Sequence, residues 1–138
     1  METVIYWDSS AVLAALGKES RSESARSQLA KPGVHLMSSL TFAETLSVLY
    51  RMRSGREISA ATLEDAAELI NHLPWRRFTL SPSWEEIAAA SSTHGLRGAD
   101  LWHLSLALTL RKRQFPWIRL LTYDQKLFAA ATDEHLTP

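Results

Sequence analysis

Cysteine is absent from the 138 residues, which excludes disulfide bonds, thiolate zinc sites and thiol nucleophiles together. Such a chain suits a reducing compartment. Long apolar runs are also missing: no stretch approaches the ~18 residues of a membrane-spanning helix. Net charge of either sign is lacking, because 15 Lys and Arg balance 15 Asp and Glu. Proteins that coat nucleic acid broadly are usually basic, so any such contact here must come from local patches. Near-neutrality does little to keep molecules apart, and self-association or a protein partner is compatible with it. Glycine and proline are sparse, five of each, and they punctuate the chain without forming a linker. The start, Met1-Glu2-Thr3, lacks the basic region and apolar stretch of a secretory signal, so a cytoplasmic location is expected.

What is present is the composition of one folded domain. Hydrophobic residues make up 46% and charged residues 22% of the chain, enough to bury a core. The length fits a single domain over residues 1–138. Thr3 to Asp8 reads as a strand that is apolar on both faces, as in a parallel sheet. Asp8-Ser9-Ser10 supplies N-cap residues for a short helix ending at Gly17. A polar helix follows from Ser22 to Ala30, then a Pro32-Gly33 turn and a strand from Val34 to Met37. Ser38 or Ser39 caps a long helix that runs to Ser54 and stops at Gly55. Ser59 caps the next, which Pro74 ends. Trp75 to Leu80 is a strand, and Ser81-Pro82-Ser83 opens a helix ending near Gly95. A strong helix runs from Ala99 or Asp100 to Arg113. Ile118 to Tyr123 forms the last strand and Gln125 to Ala131 the last helix, with a tail from Asp133 expected to add an edge strand or fray. Strands alternating with helices predict a three-layer α/β/α sandwich around a mostly parallel sheet, with sites at the carboxyl ends of the strands.

Four acids lie where acids are costly. Asp8 closes Val4-Ile5-Tyr6-Trp7. Glu44 is embedded in Leu40-Thr41-Phe42-Ala43-Glu44-Thr45-Leu46. Asp100 opens the apolar stretch Leu101–Leu110, and Asp124 closes Ile118–Tyr123. An ionised carboxylate beside buried surface is unfavourable unless paired. Each has an ordinary explanation: helix caps for Asp8 and Asp124, a favourable helix dipole for Asp100, an arginine partner, Arg51, for Glu44. Convergence at one place explains all four at once. Four oxygen ligands without cysteine suit Mg2+ or Mn2+ better than zinc, and so point to metal-assisted phosphodiester chemistry.

At these residues the sequence resembles the PIN-domain ribonucleases, most closely the VapC-type toxins. Tyr6-Trp7-Asp8-Ser9-Ser10-Ala11 is similar to the family's opening strand with its first Asp. Phe42-Ala43-Glu44 resembles its Glu-bearing helix, Gly98-Ala99-Asp100-Leu101-Trp102-His103-Leu104 its third motif, and Leu121-Thr122-Tyr123-Asp124-Gln125-Lys126-Leu127 its final strand. The resemblance implies a homodimer inhibited by a small antitoxin, and Mg2+- or Mn2+-dependent cleavage of RNA that leaves 5′-phosphate and 3′-hydroxyl ends. Asp8, Glu44, Asp100 and Asp124 are the expected metal ligands and catalytic residues, with Asp8 and Asp100 the first choices for direct ligands and Glu44 and Asp124 binding a second ion or orienting the attacking water.

Ser9 and Thr122 are placed to support the acids by hydrogen bonds. His103, one turn after Asp100, either touches substrate or metal or is a hydrogen-bonded helix histidine. Two basic clusters, Arg51/Arg53/Arg56 and Arg111/Lys112/Arg113, either complement helix C-termini or bind phosphates. Trp117 is a candidate for base stacking. Competing functions are an inactive PIN-like module that binds RNA or protein, and a partner-binding protein built on the long helices. A haloacid dehalogenase-type phosphatase would need a second Asp where Ser10 stands.

Overall fold

The apolar segment that opens the chain is the middle of the sheet. In the computed structural model, which describes residues 2–138, strand β1 (Val4–Trp7) is buried along its whole length. It pairs in parallel with β2 (Val34–Ser38) on one side and β4 (Arg119–Leu121) on the other, and β3 (Trp75–Phe78) pairs with β2. The order is β3-β2-β1-β4, all parallel. Between and after the strands come α1 (Ser9–Leu16), α2 (Ser22–Leu29), α3 (Ser39–Ser54), α4 (Ala60–His72), α5 (Trp84–Thr93), α6 (Gly98–Arg113) and α7 (Gln125–Asp133).

Alternation along β1 divides the core. Ile5 and Trp7 pack with Ala11, Val12, Leu49, Ile70 and Trp75 from the side of α1, α3 and α4. Val4 and Tyr6 pack with Leu104, Leu106, Leu120, Leu127 and Leu136 from the side of α6 and α7. Helices therefore cover both faces, as a parallel sheet requires, and the three-layer α/β/α expectation holds. Helix α6 is buried on all sides from His103 to Leu110. No helix of the described residues is long and apolar enough to cross a membrane.

Three of the strands hand directly to a helix through a capping side chain. Asp8 accepts from the Ala11 amide, Ser38 from Thr41 and Asp124 from Leu127, so β1 runs into α1, β2 into α3 and β4 into α7. Ser59 and Ser83 cap α4 and α5 in the same way. Each cap satisfies an orphan amide of the first turn. These junctions place three capping side chains at the carboxyl edge of the sheet.

The strand ends differ slightly from expectation: β3 stops at Phe78 and β4 at Leu121. The tail neither adds a strand nor frays. The Leu120 amide donates to the Leu136 carbonyl at 2.7 Å, and the Leu136 side chain is fully buried. His135, at φ 58°, turns the chain back to make this possible. One hydrogen bond and one buried leucine dock the segment without a ladder.

Gly33, at φ 136°, makes the turn into β2, and a Cβ there would lie 2.4 Å from the Thr3 carbonyl oxygen. The same carbonyl accepts the Val34 amide that starts the β1–β2 pairing. Gly33→Ala should therefore destabilise the protein by roughly 2 kcal/mol or more, read from the urea midpoint. A midpoint equal to wild type would contradict this account of the turn.

Candidate active site

Asp8 is the most constrained of the four acids, only 3% exposed at the end of β1. Its Oδ1 accepts from the Ala11 amide at 2.9 Å and from the Ser10 hydroxyl at 2.7 Å, and its Oδ2 from the Thr122 hydroxyl at 2.5 Å. Burial nevertheless wins over the three donors and raises its pKa above the ordinary carboxylate value. Asp8 is thus a helix cap and a buried acid together. The supporting hydroxyls are those of Ser10 and Thr122. Ser9, expected in that role, instead lines a neighbouring hollow.

Asp100 sits in the first turn of α6 and Asp124 at the start of α7. Both line one cleft of about 570 Å³ together with Ser10, Arg21, Arg97, Tyr123, Gln125 and Lys126. Asp124 is anchored through its cap to the Leu127 amide at 2.9 Å. No hydrogen bond or ion pair from the Asp100 side chain is found among the described residues. Its pKa is raised first by burial, then by the charges of Asp124, Asp8 and Glu44, while His103 pulls the other way. The acids therefore feel one another, as convergence requires.

Glu44 approaches from α3. It faces a separate hollow with Ser9, Ala43, Ser47, Val48 and Arg51. Arg51 turns its Nε to the Ser47 carbonyl instead of to Glu44. The partner of Glu44 is His103, whose Nε2 lies 2.6 Å from Oε1. His103 is buried, and its Nδ1 meets the Tyr6 hydroxyl at 2.5 Å. Among the described residues no arginine or lysine forms an ion pair with any of the four acids.

The chemistry of this donor set fits a hard divalent cation: oxygen ligands, mutually repelling, without basic partners. The geometry is not a closed cage. Among the described residues no group of three or more His, Asp or Glu side chains stands together as a metal site. Asp8 and Asp124 are held by caps and Glu44 by His103, which separates the four into a buried acid, two cleft acids and one beside the cleft.

Other expectations fall away from the site. Trp117 donates its indole N–H to the Glu2 carbonyl at 2.5 Å, at the amino end of the sheet and opposite the acids, so it is not placed for base stacking there. Arg111 and Lys112 pair with Glu134 and Glu86. The basic side chains that do line the cleft, Arg21, Arg97 and Lys126, carried no periodic or clustering signal. Their nearness in sequence to Asp100 and Asp124 was the available clue for two of them.

A family model of the PIN domain matches residues 5–133. Among solved structures, PAE2754 from Pyrobaculum aerophilum superposes with a TM-score of 0.64 at 17% identity, over 93% of this chain and 79% of that one. VapC20 from Mycobacterium tuberculosis, a sarcin–ricin loop cleaving toxin, superposes with a TM-score of 0.61 at 19% identity, over 91% and 94% of the two chains. No curated protein matches the sequence.

Two predictions come from the electrostatics. Thr122→Val removes the closest donor from a buried carboxylate and should lower stability by about 1–3 kcal/mol, measured by urea unfolding. For Asp100 the folded pKa lies above the unfolded one. This acid therefore opposes folding fully above its folded pKa, and the opposition lifts as pH falls toward the ordinary value of 3.8. In EDTA, Asp100→Asn should melt a few degrees above wild type at pH 7, with the gap closing toward pH 4. Mn2+ should raise the melting temperature of wild type more than that of the variant. A lower melting temperature for Asp100→Asn in EDTA would show that the repulsion is not there.

Proposed function

The chain belongs to the PIN-domain family, and from that premise we propose that it is a divalent-metal-dependent endoribonuclease, the toxin of a toxin–antitoxin pair. PIN nucleases generally use divalent metals, and the supporting observation here is the carboxylate group at the carboxyl edge of the sheet. The proposed ligands and catalytic residues are Asp8, Glu44, Asp100 and Asp124, with Mg2+ or Mn2+ as the ion. The toxin assignment, the small antitoxin and the homodimer rest on the likeness to VapC20 and on the motifs around the four acids.

When bound, the ion supplies a water of lowered pKa and neutralises charge on the scissile phosphate. The chain contributes the rest. Asp8 is held in one orientation by Ser10, Thr122 and the Ala11 amide, while Oδ2, which accepts only from Thr122, keeps a lone pair for a ligand bond. Asp100 and Asp124 line the cleft from two helices. Glu44 commits Oε1 to His103 and leaves Oε2 to orient the attacking water. Arg97 and Lys126 on the cleft wall meet the phosphates flanking the scissile bond. No lysine or histidine base is needed, since the nucleophile is already acidified.

Incubation with total RNA in Mn2+ and in EDTA tests the proposal. Wild type should generate 5′-phosphate ends only with the ion, and Asp8→Asn, Glu44→Gln and Asp100→Asn should each lose more than about a hundredfold while keeping a folded far-ultraviolet spectrum. Cleavage that persists in EDTA, or full activity in Asp100→Asn, would overturn the assignment. A folded protein that neither cleaves nor binds Mn2+ would be an inactive binding module.

A further inference from the structure

The buried histidine on α6 has no catalytic role in the chemistry above, yet it contacts one of the four acids directly from another element. His103 Nε2 is 2.6 Å from Glu44 Oε1, and Nδ1 is 2.5 Å from the Tyr6 hydroxyl. Tyr6 in turn lies 2.8 Å from the Ser38 hydroxyl, and Thr41 donates to the Trp7 carbonyl at 2.8 Å. We propose that His103 is a positioning residue for Glu44, backed by Tyr6, and that this chain fixes the fourth acid relative to the other three.

Proton bookkeeping gives the chain a direction. The Ser38 oxygen accepts the Thr41 amide, and its proton has two acceptors in reach, Thr41 Oγ1 at 3.3 Å and the Tyr6 oxygen, nearer at 2.8 Å. A phenol carries its proton at neutral pH, and the Tyr6 hydroxyl donates it to His103 Nδ1. The imidazole then carries its proton on Nε2 and donates it to Glu44. From Tyr6 onward each donor points toward the carboxylate, and each buried group has its partner. The elements joined, β1, α3 and α6, carry three of the four acids. Tyr6 precedes Asp8 by two residues on β1, on the same strand face. His103 follows Asp100 by three on α6, on the same helix face. Glu44 is carried by α3, whose cap is Ser38. Helix α6 thus contributes one acid itself and holds a second.

This deepens the nuclease reading and rests on it, and the test separates the two. Ring 15N spectra of the metal-free protein should show His103 protonated at Nε2 with Nδ1 as an acceptor. Tyr6→Phe should shift Nδ1 toward an unbonded nitrogen, and Glu44→Gln should shift Nε2. In Mn2+, His103→Leu should lower kcat about ten- to a hundredfold with little change in KM for RNA. His103→Gln, whose amide can donate from the Nε2 position, should recover most of the loss. Tyr6→Phe should fall between wild type and His103→Leu. An Nε2 without a proton, unchanged kcat in His103→Leu, or a folded His103→Gln as impaired as His103→Leu would overturn the proposal. Should His103→Leu fail to fold, Tyr6→Phe and His103→Gln decide it. If wild type does not cleave RNA, the nuclease reading falls, while the spectra still test the His103–Glu44 bond.

Discussion

A carboxylate must be kept ionised and fixed at the buried end of the central strand, and the rest of the site depends on how that is done. Asp8 is desolvated, which alone would favour its neutral form. Three donors act against this: the Ala11 amide, which is the first-turn amide of α1, and the hydroxyls of Ser10 and Thr122. The two hydroxyls do more than solvate the acid. Ser10 accepts the Tyr123 amide and Thr122 accepts the Asp124 amide. The same pair of side chains therefore ties β1 to the end of β4 and sets where α7 begins. Asp124 is placed by the interactions that hold Asp8.

Repulsion among the acids is left standing in this arrangement. A surface ion pair contributes little and a buried one is costly to assemble, yet neutralising each acid with an arginine would be an easy route to stability. The chain does not take it: Arg97 and Lys126 share the cleft with Asp100 and Asp124 without pairing to them. Stability is instead supplied elsewhere, by the two apolar clusters and the all-buried α6. The repulsion shows in the raised proton affinity of Asp100, which comes first from burial and then from the charges of Asp124, Asp8 and Glu44.

Local rules made the fold legible in sequence. The long helix closes at Ser54 with Gly55 as its cap, and Ser38, Ser59 and Ser83 cap as their positions before apolar periodic segments implied. Backbone chemistry at these points is decided within four residues. The tail was not legible, because a single leucine docking on β4 leaves no periodic pattern. Neither was the choice between Ser9 and Ser10. Both lie in the first turn of α1, and only the turn geometry directs one hydroxyl back to Asp8. The partner of Glu44 was hidden by distance along the chain: it lies 59 residues away. One clue existed. A lone histidine within Leu101–Leu110, a stretch that packs on all sides, must find a partner for each ring nitrogen. Sequence can state that demand but cannot say that Glu44 and Tyr6 meet it.

A neutral chain can serve a polyanion because net charge does not fix the local field. Four of the six basic side chains that stand out in sequence are already engaged. Lys112 lies 2.6 Å from Glu86, Arg111 pairs with Glu134, and Arg51 and Arg53 turn to carbonyls near the end of α3. Arg97 and Lys126 remain beside the cleft, flanking acids that by themselves repel phosphate. On the proposed reading, rim cations attract a strand that the floor rejects until a divalent ion is present. Substrate and ion then each improve the site for the other, and thermodynamic reciprocity makes that gain equal in both directions. A broad basic surface would weaken this dependence by retaining RNA without the ion. Balanced overall charge with Arg97 and Lys126 beside the cleft keeps binding tied to the state in which the four acids are satisfied.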